Sequence, residues 1–392
     1  MKQVRLGIIG LGNMGSYHVA YMHEVPGVKL AAIADRDPGK LEAAMAKATT
    51  NGAKDVRTFA EGSDLAAKAE VDAILIAVPH YDHPVLTLQG LKRGLHVLTE
   101  KPVAVAAAAA QKVNDAYKAM KKKPVYAAMF NQRTNPTWRK VRQIVSDGEL
   151  GEVRRVVWLI TNWFRSQAYY NSGGWRATWA GEGGGVLINQ CPHNLDLIQW
   201  FVGMPSRVTA MAYLGKYHNI EVEDDVTAML EYPNGATGVF ITSTGEAPGT
   251  NRLEIVGDRG KLVTDGKSLE LWKTHESVRK FTDTTPSPFN VPTCDYMKIE
   301  TGGTETGHKG VTINFINAIL HGEPLIAQAT DGIHGLELGN AMLYSGLTGK
   351  PVAIPTPRAK FEQMLKDLAK KSKVTKKVAA AKGGDFAASF GK

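Results

Sequence analysis

A glycine-rich loop at residues 10–15 constrains the fold of this chain more than any other feature of its sequence. The loop follows an apolar run that is typical of a buried strand, and the residues after it are compatible with a helix. Glycines spaced G-x-G-x-x-G at such a junction permit a tight turn, close approach of a pyrophosphate and close packing of helix on strand. The pattern predicts a dinucleotide site that includes Gly10, Gly12, Asn13, Met14 and Gly15.

An acidic residue at the end of the second predicted strand supports the same interpretation. Asp35 lies 20 residues beyond Gly15 (35 − 15 = 20). A carboxylate at this place accepts hydrogen bonds from the ribose hydroxyls and repels the 2′-phosphate of NADP, so the sequence favours NAD. The neighbouring Arg36 is also predicted to contact the cofactor, and because its guanidinium could pair with a 2′-phosphate, NADP stays open as an alternative.

Short apolar runs alternate with amphipathic stretches over the first part of the chain. Strands buried on both faces have near-continuous apolar sequences, and their alternation with helices predicts a doubly wound parallel sheet. The predicted strands are Gln3–Ile9, Lys29–Ala34, Asp72–Val78, Leu95–Thr99 and Val125–Met129. The helices predicted between them include Pro38–Lys47, Pro84–Arg93 and Ala106–Met120.

After about residue 125 the pattern changes to one long helix followed by β-branched or alternating strands. Tyr232–Gly235 has the composition of a hairpin turn between two of them. The predicted strands are Val153–Trp163, Val208–Tyr213, Asp225–Tyr232, Gly235–Thr242 and Arg252–Val256. The predicted helices are Pro136–Asp147, Val311–Leu320 and Gly332–Ser345.

These patterns predict an α/β protein with an N-terminal doubly wound Rossmann domain and a C-terminal α+β domain with a large, mainly antiparallel sheet. The first domain is assigned to residues 1–124 and the second to residues 125–355. A chain of 392 residues is also too long for one ordinary hydrophobic core. Pro351, Pro355 and Pro357 are predicted to end the ordered body, which leaves a basic tail at residues 356–392 outside it.

Most of the net charge of +9 lies in that tail. Residues 358–392 carry ten Lys and Arg against three Asp and Glu, a net charge of +7 (10 − 3 = 7). The body is therefore nearly neutral, and we expect no nucleic-acid partner. No apolar run approaches the ~20 residues of a membrane span, and the two cysteines lack a disulfide or zinc spacing. We expect a soluble, cytoplasmic protein with no metal site and no membrane partner.

The carboxyl ends of the predicted parallel strands carry candidate cofactor and catalytic residues, because these ends open onto the ligand crevice. Glu100 and Lys101 follow the strand Leu95–Thr99, and Pro79 and His83 follow the strand before it. All four are predicted to lie beside the cofactor. An ammonium at position 101 could also hydrogen-bond the substrate oxygen.

A second candidate segment lies within the predicted α+β domain. The glycines at 183–185 permit close approach of a ligand, and the residues after them suit a helix. A helix that starts near Ile188 would place Asn189 and His193 one turn apart on the same face. His193 could then accept a proton from a substrate hydroxyl while hydride leaves the carbon.

The glycine loop, the triplet Glu100-Lys101-Pro102 and the run from Gly183 to His193 and Asp196 together resemble the Gfo/Idh/MocA family, which includes glucose–fructose oxidoreductase and inositol dehydrogenases. The resemblance covers about residues 3–355. It implies that Lys101 and His193 are the catalytic Lys and His, and that the second domain binds substrate and forms oligomer contacts.

The sequence departs from the family pattern at two positions. Many members have Asp where this chain has Asn189, and Gly where it has Cys191. The resemblance therefore implies that Asn189 orients a hydroxyl and that His193 carries more of the proton transfer. Asp196 is expected to be a hydrogen-bond partner on the helix.

An aromatic and basic segment between the two motifs suits a carbohydrate pocket. Aromatic faces pack against pyranose rings, and Arg or Asn side chains bind hydroxyls. The predicted substrate-binding residues are Lys101, Trp163, Arg176, Trp179, Asn189 and His193.

The resemblance implies NAD-dependent hydride transfer to or from a secondary hydroxyl or ketone of a sugar, sugar acid, cyclitol or glycoside, with ring position 3 as the expected site. Two alternatives stay open. One is a glycoside hydrolase or lyase that works by transient oxidation, elimination and re-reduction. The other is a non-catalytic sensor, which is expected to lack the Lys or the His. The implied partners are a small carbohydrate and a second copy of the chain, as a homodimer or homotetramer.

Overall fold

The computed structural model describes residues 2–372. One sheet has six parallel strands in the order β3-β2-β1-β4-β5-β6. The winding reverses between β1 and β4, and such a switch point is where open parallel sheets bind ligands at their carboxyl ends. The strands are Val4–Ile9 (β1), Val28–Ala34 (β2), Arg57–Phe59 (β3), Ala73–Ile76 (β4), His96–Thr99 (β5) and Tyr126–Ala128 (β6).

Helices cover both faces of this sheet, which explains why its inner strands are mostly apolar and buried. The second of them begins with Asp37 as its N-cap and Pro38 in its first turn, a combination that starts a helix without unpaired backbone donors. The sequence missed β3, because it is short, polar and largely exposed. The helices are Asn13–Tyr21 (α1), Pro38–Thr50 (α2), Gly62–Lys68 (α3), His83–Lys92 (α4) and Ala107–Lys118 (α5).

Two elements lie across the domain border that the sequence suggested at residue 124. Strand β6 pairs with β5 and so extends the first sheet to residue 128. The helix Gly307–His321, expected in the second domain, packs Val311, Phe315 and Ile316 against Leu6 and other residues of β1. Sequence order did not reveal this return, because the helix has an apolar face that would suit either sheet.

The second sheet has nine strands in the order β14-β13-β12-β11-β7-β10-β9-β8-β15. Neighbours pair antiparallel except β7 and β10, so the predicted mainly antiparallel sheet is confirmed. The predicted hairpin turn at Tyr232–Gly235 joins β9 to β10. The strands are Val153–Ile160 (β7), Arg207–Leu214 (β8), Glu223–Glu231 (β9), Thr237–Ser243 (β10), Asn251–Gly257 (β11), Gly260–Thr264 (β12), Leu269–Thr274 (β13), Cys294–Ile299 (β14) and Val352–Ala353 (β15).

Helices cover one part of this sheet and carry the site residues. Pro136 and its N-cap Asn135 begin the predicted long helix where the sequence placed it. The helices are Pro136–Ser146 (α6), Gln167–Asn171 (α7), Val186–Asn189 (α8), Pro192–Val202 (α9), Val278–Thr284 (α10), Gly307–His321 (α11), Gly332–Thr348 (α12) and Arg358–Lys371 (α13).

Helix α13 corrects the prediction that the ordered body ends at the prolines. Phe361 and Leu365 are buried in the main core, and Arg358 forms an ion pair with the buried Glu337 of α12. The buried residues of α13, Phe361 and Leu365, are four positions apart and lie on one face of the helix. The composition of the segment did not reveal this face, because the helix also contains many lysines. The remainder of the predicted tail, residues 373–392, lies outside the described residues.

Residues 2–372 contain neither a helix suited to span a membrane nor a metal-binding cluster. None of the helices there is long and apolar enough to cross a membrane. Nor does that part of the chain bring three or more His, Cys, Asp or Glu side chains together in a metal-binding arrangement.

Candidate functional site

The glycine loop joins β1 to α1 at the switch point of the first sheet. Gly10 has φ +89°, and a Cβ there would lie 2.6 Å from the carbonyl oxygen of Ala77. A Cβ on Gly15 would lie 1.7 Å from the oxygen of Gly10. At Gly12, by contrast, a Cβ would meet no described protein atom within 4 Å. Two of the glycines are therefore required by the protein itself, whereas the open side of Gly12 fits a bound pyrophosphate at the helix N-terminus.

The two residues predicted to select the cofactor lie beside this loop. Asp35 is half-buried at the end of β2, and its carboxylate accepts hydrogen bonds from the backbone N–H of Leu11 at 2.7 Å and of Asp37 at 2.9 Å. It therefore fixes the loop while leaving lone pairs for ribose hydroxyls. The Arg36 guanidinium is exposed and donates to Glu61 at 2.9 Å, so an acidic neighbour already engages it.

Pro79 and His83 were both predicted to lie on the cofactor side after β4. The structure places them in different surroundings. Pro79 is exposed at the carboxyl edge of the sheet. His83 is buried, and both of its ring nitrogens lie within hydrogen-bond distance of backbone carbonyl oxygens, of Pro102 at 2.6 Å and of Val78 at 2.8 Å. The ring of His83 ties the turn after β4 to the loop after β5, and its predicted contact with cofactor stays a prediction.

Glu100 anchors the loop that carries Lys101. Its carboxylate is buried, pairs with His18 at 2.8 Å and accepts the backbone N–H of Lys101 at 3.2 Å. Burial alone would raise the pKa of Glu100, but the hydrogen bond and charge of His18, together with the charges of His308 and Lys101, lower it to about 2. His18 in turn contacts Tyr21, whose hydroxyl lies 2.9 Å from that of Thr312 on α11. The carboxylate is thus engaged within the protein, and its predicted contact with cofactor stays a prediction.

Lys101 reaches from the first sheet to the second half of the chain. Its Nζ donates to the backbone oxygen of Asn189, the last residue of α8, at 2.9 Å. Burial lowers the pKa of Lys101, while the charges of Glu100 and Glu182 oppose that effect. Arg176 and Arg165 lower the same pKa further, so four charged residues act on this ammonium.

His193 lies on α9, one helix after Asn189. The prediction of a single helix carrying both residues is wrong, because α8 ends at Asn189 and α9 begins at Pro192. A proline lacks an N–H and disfavours helical geometry in the residue before it, so the chain breaks there. His193 is 9 % exposed and packs edge-on against Phe130. Burial, and then the positive charge of Lys101, lower its pKa well below the ordinary value.

The side chain of Asn189 meets a carboxylate that the sequence analysis did not identify. Its Nδ2 donates to Glu182 and also to the hydroxyl of Tyr169, at 3.1 Å for the latter. Glu182 is 1 % exposed and also accepts the backbone N–H of Ala177 at 2.5 Å. The only sequence signal was an acidic residue within a glycine-rich run. The direction in which the Glu182 side chain points depends on a turn, in which the backbone N–H groups of Glu182 and Gly183 both donate to the carbonyl oxygen of Thr178.

The predicted aromatic and basic segment forms a cluster around Tyr169. Arg176 donates to the Tyr169 hydroxyl at 2.9 Å, and its guanidinium lies 4.7 Å from the ring centroids of both Tyr169 and Trp175. The guanidinium of Arg165 lies 5.2 Å from the Tyr169 centroid and 5.5 Å from that of Trp163. Trp163, Arg176 and Asn189 are each half-buried, so these three predicted residues present polar and aromatic surface in one region.

Two further predicted residues lie in the interior. Trp179 is 3 % exposed within the main core, and its predicted contact with substrate stays a prediction. Its backbone N–H donates to Glu221 at 2.8 Å, and its carbonyl accepts from Tyr81. Asp196 pairs with Arg133 through two hydrogen bonds of 2.7 and 2.6 Å, as expected for a hydrogen-bond partner on the helix.

A small cavity lies behind α8, between that helix and α12. About 20 Å³ of it is open to the centre of a water molecule, and its lining is mostly apolar. Glu223, at the start of β9, contributes a carboxyl group to the lining and accepts the backbone N–H groups of Gly185 and Leu187 at 2.9 and 3.1 Å. Its other oxygen, Oε2, has no hydrogen-bond partner among the described residues. Glu223 therefore holds the N-terminus of α8 from behind.

Comparison with known proteins agrees with this geometry. Residues 4–128 match the family model described as "Oxidoreductase family, NAD-binding Rossmann fold", and residues 138–263 match "GFO/IDH/MocA C-terminal domain". The two matches fall on the two sheets, and the predicted NAD-binding fold is confirmed.

Related proteins extend the similarity over most of the chain. An inositol 2-dehydrogenase of Rubrobacter xylanophilus is 28% identical over 363 residues, 91% of this chain and 94% of that protein. An uncharacterised oxidoreductase of Rhizobium meliloti is 30% identical over 266 residues, 67% of this chain and 74% of that protein. The WlbA dehydrogenase of Bordetella pertussis, solved with NADH and UDP-GlcNAcA, has a TM-score of 0.74 and 25% identity, covering 90% of this chain and 99% of that one. The chain therefore belongs to the Gfo/Idh/MocA family of NAD-binding oxidoreductases.

Proposed function

We propose that this enzyme transfers hydride between NAD and a secondary hydroxyl, or the corresponding ketone, of a small polyhydroxylated ring such as a sugar, sugar acid, cyclitol or glycoside. The observation that carries the proposal is the hydrogen bond from Lys101 Nζ to the backbone oxygen of Asn189. It connects the carboxyl edge of the dinucleotide-binding sheet to the helices that carry the substrate-side residues. Hydride transfer needs cofactor and substrate at one such junction.

The proposed proton-handling residues are Lys101 and His193. When bound, the dinucleotide supplies the hydride acceptor. Since burial keeps the pKa of His193 well below its ordinary value, the imidazole is neutral near pH 7 and able to accept the hydroxyl proton during oxidation. Lys101 donates a hydrogen bond to the reacting oxygen, and its positive charge stabilises negative charge that develops there.

Substrate recognition is proposed for the cluster around Tyr169. Trp163 offers an aromatic face, while Arg176 and Asn189 offer hydrogen-bonding groups close to Lys101. Rings with several hydroxyls present both an apolar face and polar edges, so this mixture of groups suits them. We propose ring position 3 of a pyranose as the oxidised carbon.

The second sheet supports a proposal of self-association into a homodimer or homotetramer. Met211 and Tyr213 on β8 and Met229 on the adjacent β9 are 55, 46 and 62 % exposed. Large apolar side chains that are exposed next to one another often mark a surface that associates with another protein. Light scattering on Met229→Glu should report a smaller particle than the wild type; an unchanged mass would place any interface elsewhere.

A substrate panel tests the proposed activity. Monosaccharides, sugar acids, inositols and aryl glycosides are each mixed with NAD⁺ or NADP⁺, and NADH formation and aglycone release are measured together. Stoichiometric NADH without aglycone release supports the dehydrogenase. Aglycone release with catalytic NAD⁺ would instead establish cleavage through transient oxidation. Binding of a sugar with neither product would establish the sensor.

The active substrate then tests the two roles. His193→Ala should lower kcat by about 10²- to 10⁴-fold, the usual contribution of a general base, with NADH affinity nearly unchanged. His275→Ala is the matched control, because that imidazole is exposed and pairs with Asp295 on β14, away from the site. Near-normal turnover in His193→Ala would show that His193 is not the general base.

A further inference from the structure

We propose that Glu182 is a positioning residue of this active site, which fixes the Asn189 amide and holds Lys101 in its charged form. The inference rests on the proposed function only for its consequence in catalysis. Because position 189 is an uncharged amide, the sequence shows no carboxylate next to the proposed proton-handling residues. The fold supplies that carboxylate from position 182, seven residues earlier and on the loop before α8.

The first line of support is the set of contacts that Glu182 makes. One carboxylate oxygen accepts the side-chain N–H of Asn189, and the other accepts the backbone N–H of Ala177. Glu182 is 1 % exposed, so water does not compete for these bonds. A carboxylate only accepts hydrogen bonds, and therefore the Nδ2 of Asn189 must face Glu182. The amide oxygen is then left to accept a hydrogen bond from a substrate hydroxyl.

The second line of support is electrostatic. The charge of Glu182 favours the protonated form of Lys101, whose own burial disfavours it. Arg176 and Arg165 act against the ammonium as well. Glu100, the other acid that acts on Lys101, is already paired with His18. Glu182 is therefore the carboxylate that links the Lys101 charge to the substrate side of the site.

A third observation concerns the backbone that Glu182 holds. Ala177 is buried and has φ +48°, in the left-handed region that residues with a Cβ rarely adopt. Its N–H donates to the Glu182 carboxylate at 2.5 Å. The preceding residue is Arg176, so Glu182 holds the backbone directly beside this substrate-side residue.

The test moves the carboxylate without moving the fold. Glu182→Gln keeps the shape and removes the charge. Asn189→Asp combined with Glu182→Gln places a carboxylate and an amide on opposite sides of the same hydrogen bond. Glu221→Gln is the matched control, because Glu221 also accepts a backbone N–H of this segment, from Trp179 at 2.8 Å, but does not act on the charge of Lys101.

Two quantities are measured on the full-length variants. The first is the rate of Lys101 acetylation by acetic anhydride at fixed pH, read by mass spectrometry of the peptide and independent of any substrate. Only the neutral amine reacts, so we expect a roughly tenfold faster rate in Glu182→Gln, as removal of a nearby opposite charge typically gives. The second is the alkaline limb of kcat/KM, which should move to lower pH in the same variant.

The double variant should restore both quantities toward the wild type, and Glu221→Gln should change neither. An unchanged acetylation rate in Glu182→Gln would overturn the proposal. So would a double variant that behaves like Glu182→Gln, since the charge would then not be what matters. The acetylation readout needs no turnover, so inactivity of the wild type on every sugar would refute the proposed function and leave this test intact.

Discussion

Glu223 is a buried carboxyl group whose titration should change the stability of this protein near neutral pH. It has 0 % exposure and lies between the glycines before α8 and the small cavity behind that helix. Burial raises its pKa to about 7, although the N–H groups of Gly185 and Leu187 favour the ionised form. Ionisation therefore places a charge in a mostly apolar space, where one oxygen has no hydrogen-bond partner among the described residues.

The magnitude follows from the difference between the folded and unfolded states. The unfolded carboxyl group has an ordinary pKa of 4.5, and the folded one about 7. At 1.36 kcal/mol per pH unit, this difference corresponds to about 3 kcal/mol. Because the folded state holds the proton more tightly, the contribution is fully present below pH 4.5 and is lost as the pH rises through 7.

The perturbation is Glu223→Gln, which resembles the protonated group and does not titrate. Urea unfolding of both proteins gives the free energy of unfolding from about pH 5 to about pH 8. Subtracting the two curves removes every other titrating group. The wild type should lose about 3 kcal/mol relative to the variant across this range. Glu70→Gln, at an exposed carboxylate, should run parallel to the wild type, and equally parallel curves for Glu223→Gln would refute the reasoning.

Three further predictions concern the cofactor site and helix α13. Gly12→Ala should keep the thermal stability and weaken NADH binding, whereas Gly15→Ala should lower stability itself, because its Cβ would clash with Gly10; normal NADH affinity in Gly12→Ala would contradict the pyrophosphate assignment. Asp35→Ala should lower the preference for NAD over NADP in kcat/KM by roughly tenfold or more, through loss of repulsion toward the 2′-phosphate; an unchanged ratio argues against that role. Phe361→Ala should cost about 3–5 kcal/mol in urea unfolding, since its ring is fully buried, and a small cost would show that α13 is dispensable.

Local patterns predicted the parts of this protein that depend on neighbouring residues. The strands of the first sheet were recognisable because burial on both faces requires near-continuous apolar runs, as in β4 and in β1 apart from Arg5. The helices α2 and α6 were bounded correctly at their starts, because Asp37-Pro38 and Asn135-Pro136 are self-contained start signals. The strand β14 gave no such signal, since five of its six residues are exposed and its sequence is mixed.

The candidate site shows the same division. Lys101 and His193 were identifiable, because each lies next to a turn or glycine run with a pattern of its own. Glu182 was not identifiable from the sequence. Its partners Ala177 and Asn189 lie before and after it in the chain, and a turn that the sequence does not predict brings them together. The surroundings of His83 were equally hidden: its position suggested the cofactor, and only the structure shows that two backbone carbonyl oxygens lie beside its ring nitrogens.

The sequence by itself determined that this chain builds a dinucleotide-binding sheet, and it pointed to Lys101 and His193 as the proposed proton-handling residues. The glycine loop, the acidic residue 20 positions after it and the apolar runs are requirements of single strands and turns. They can therefore be read from short stretches of the sequence. Only the tertiary structure decided that α11 returns to the first sheet, that α13 packs on the body, and that Glu182 faces Asn189. These arrangements depend on which of several suitable apolar or polar surfaces meet, and that choice is made by the packing of the whole chain.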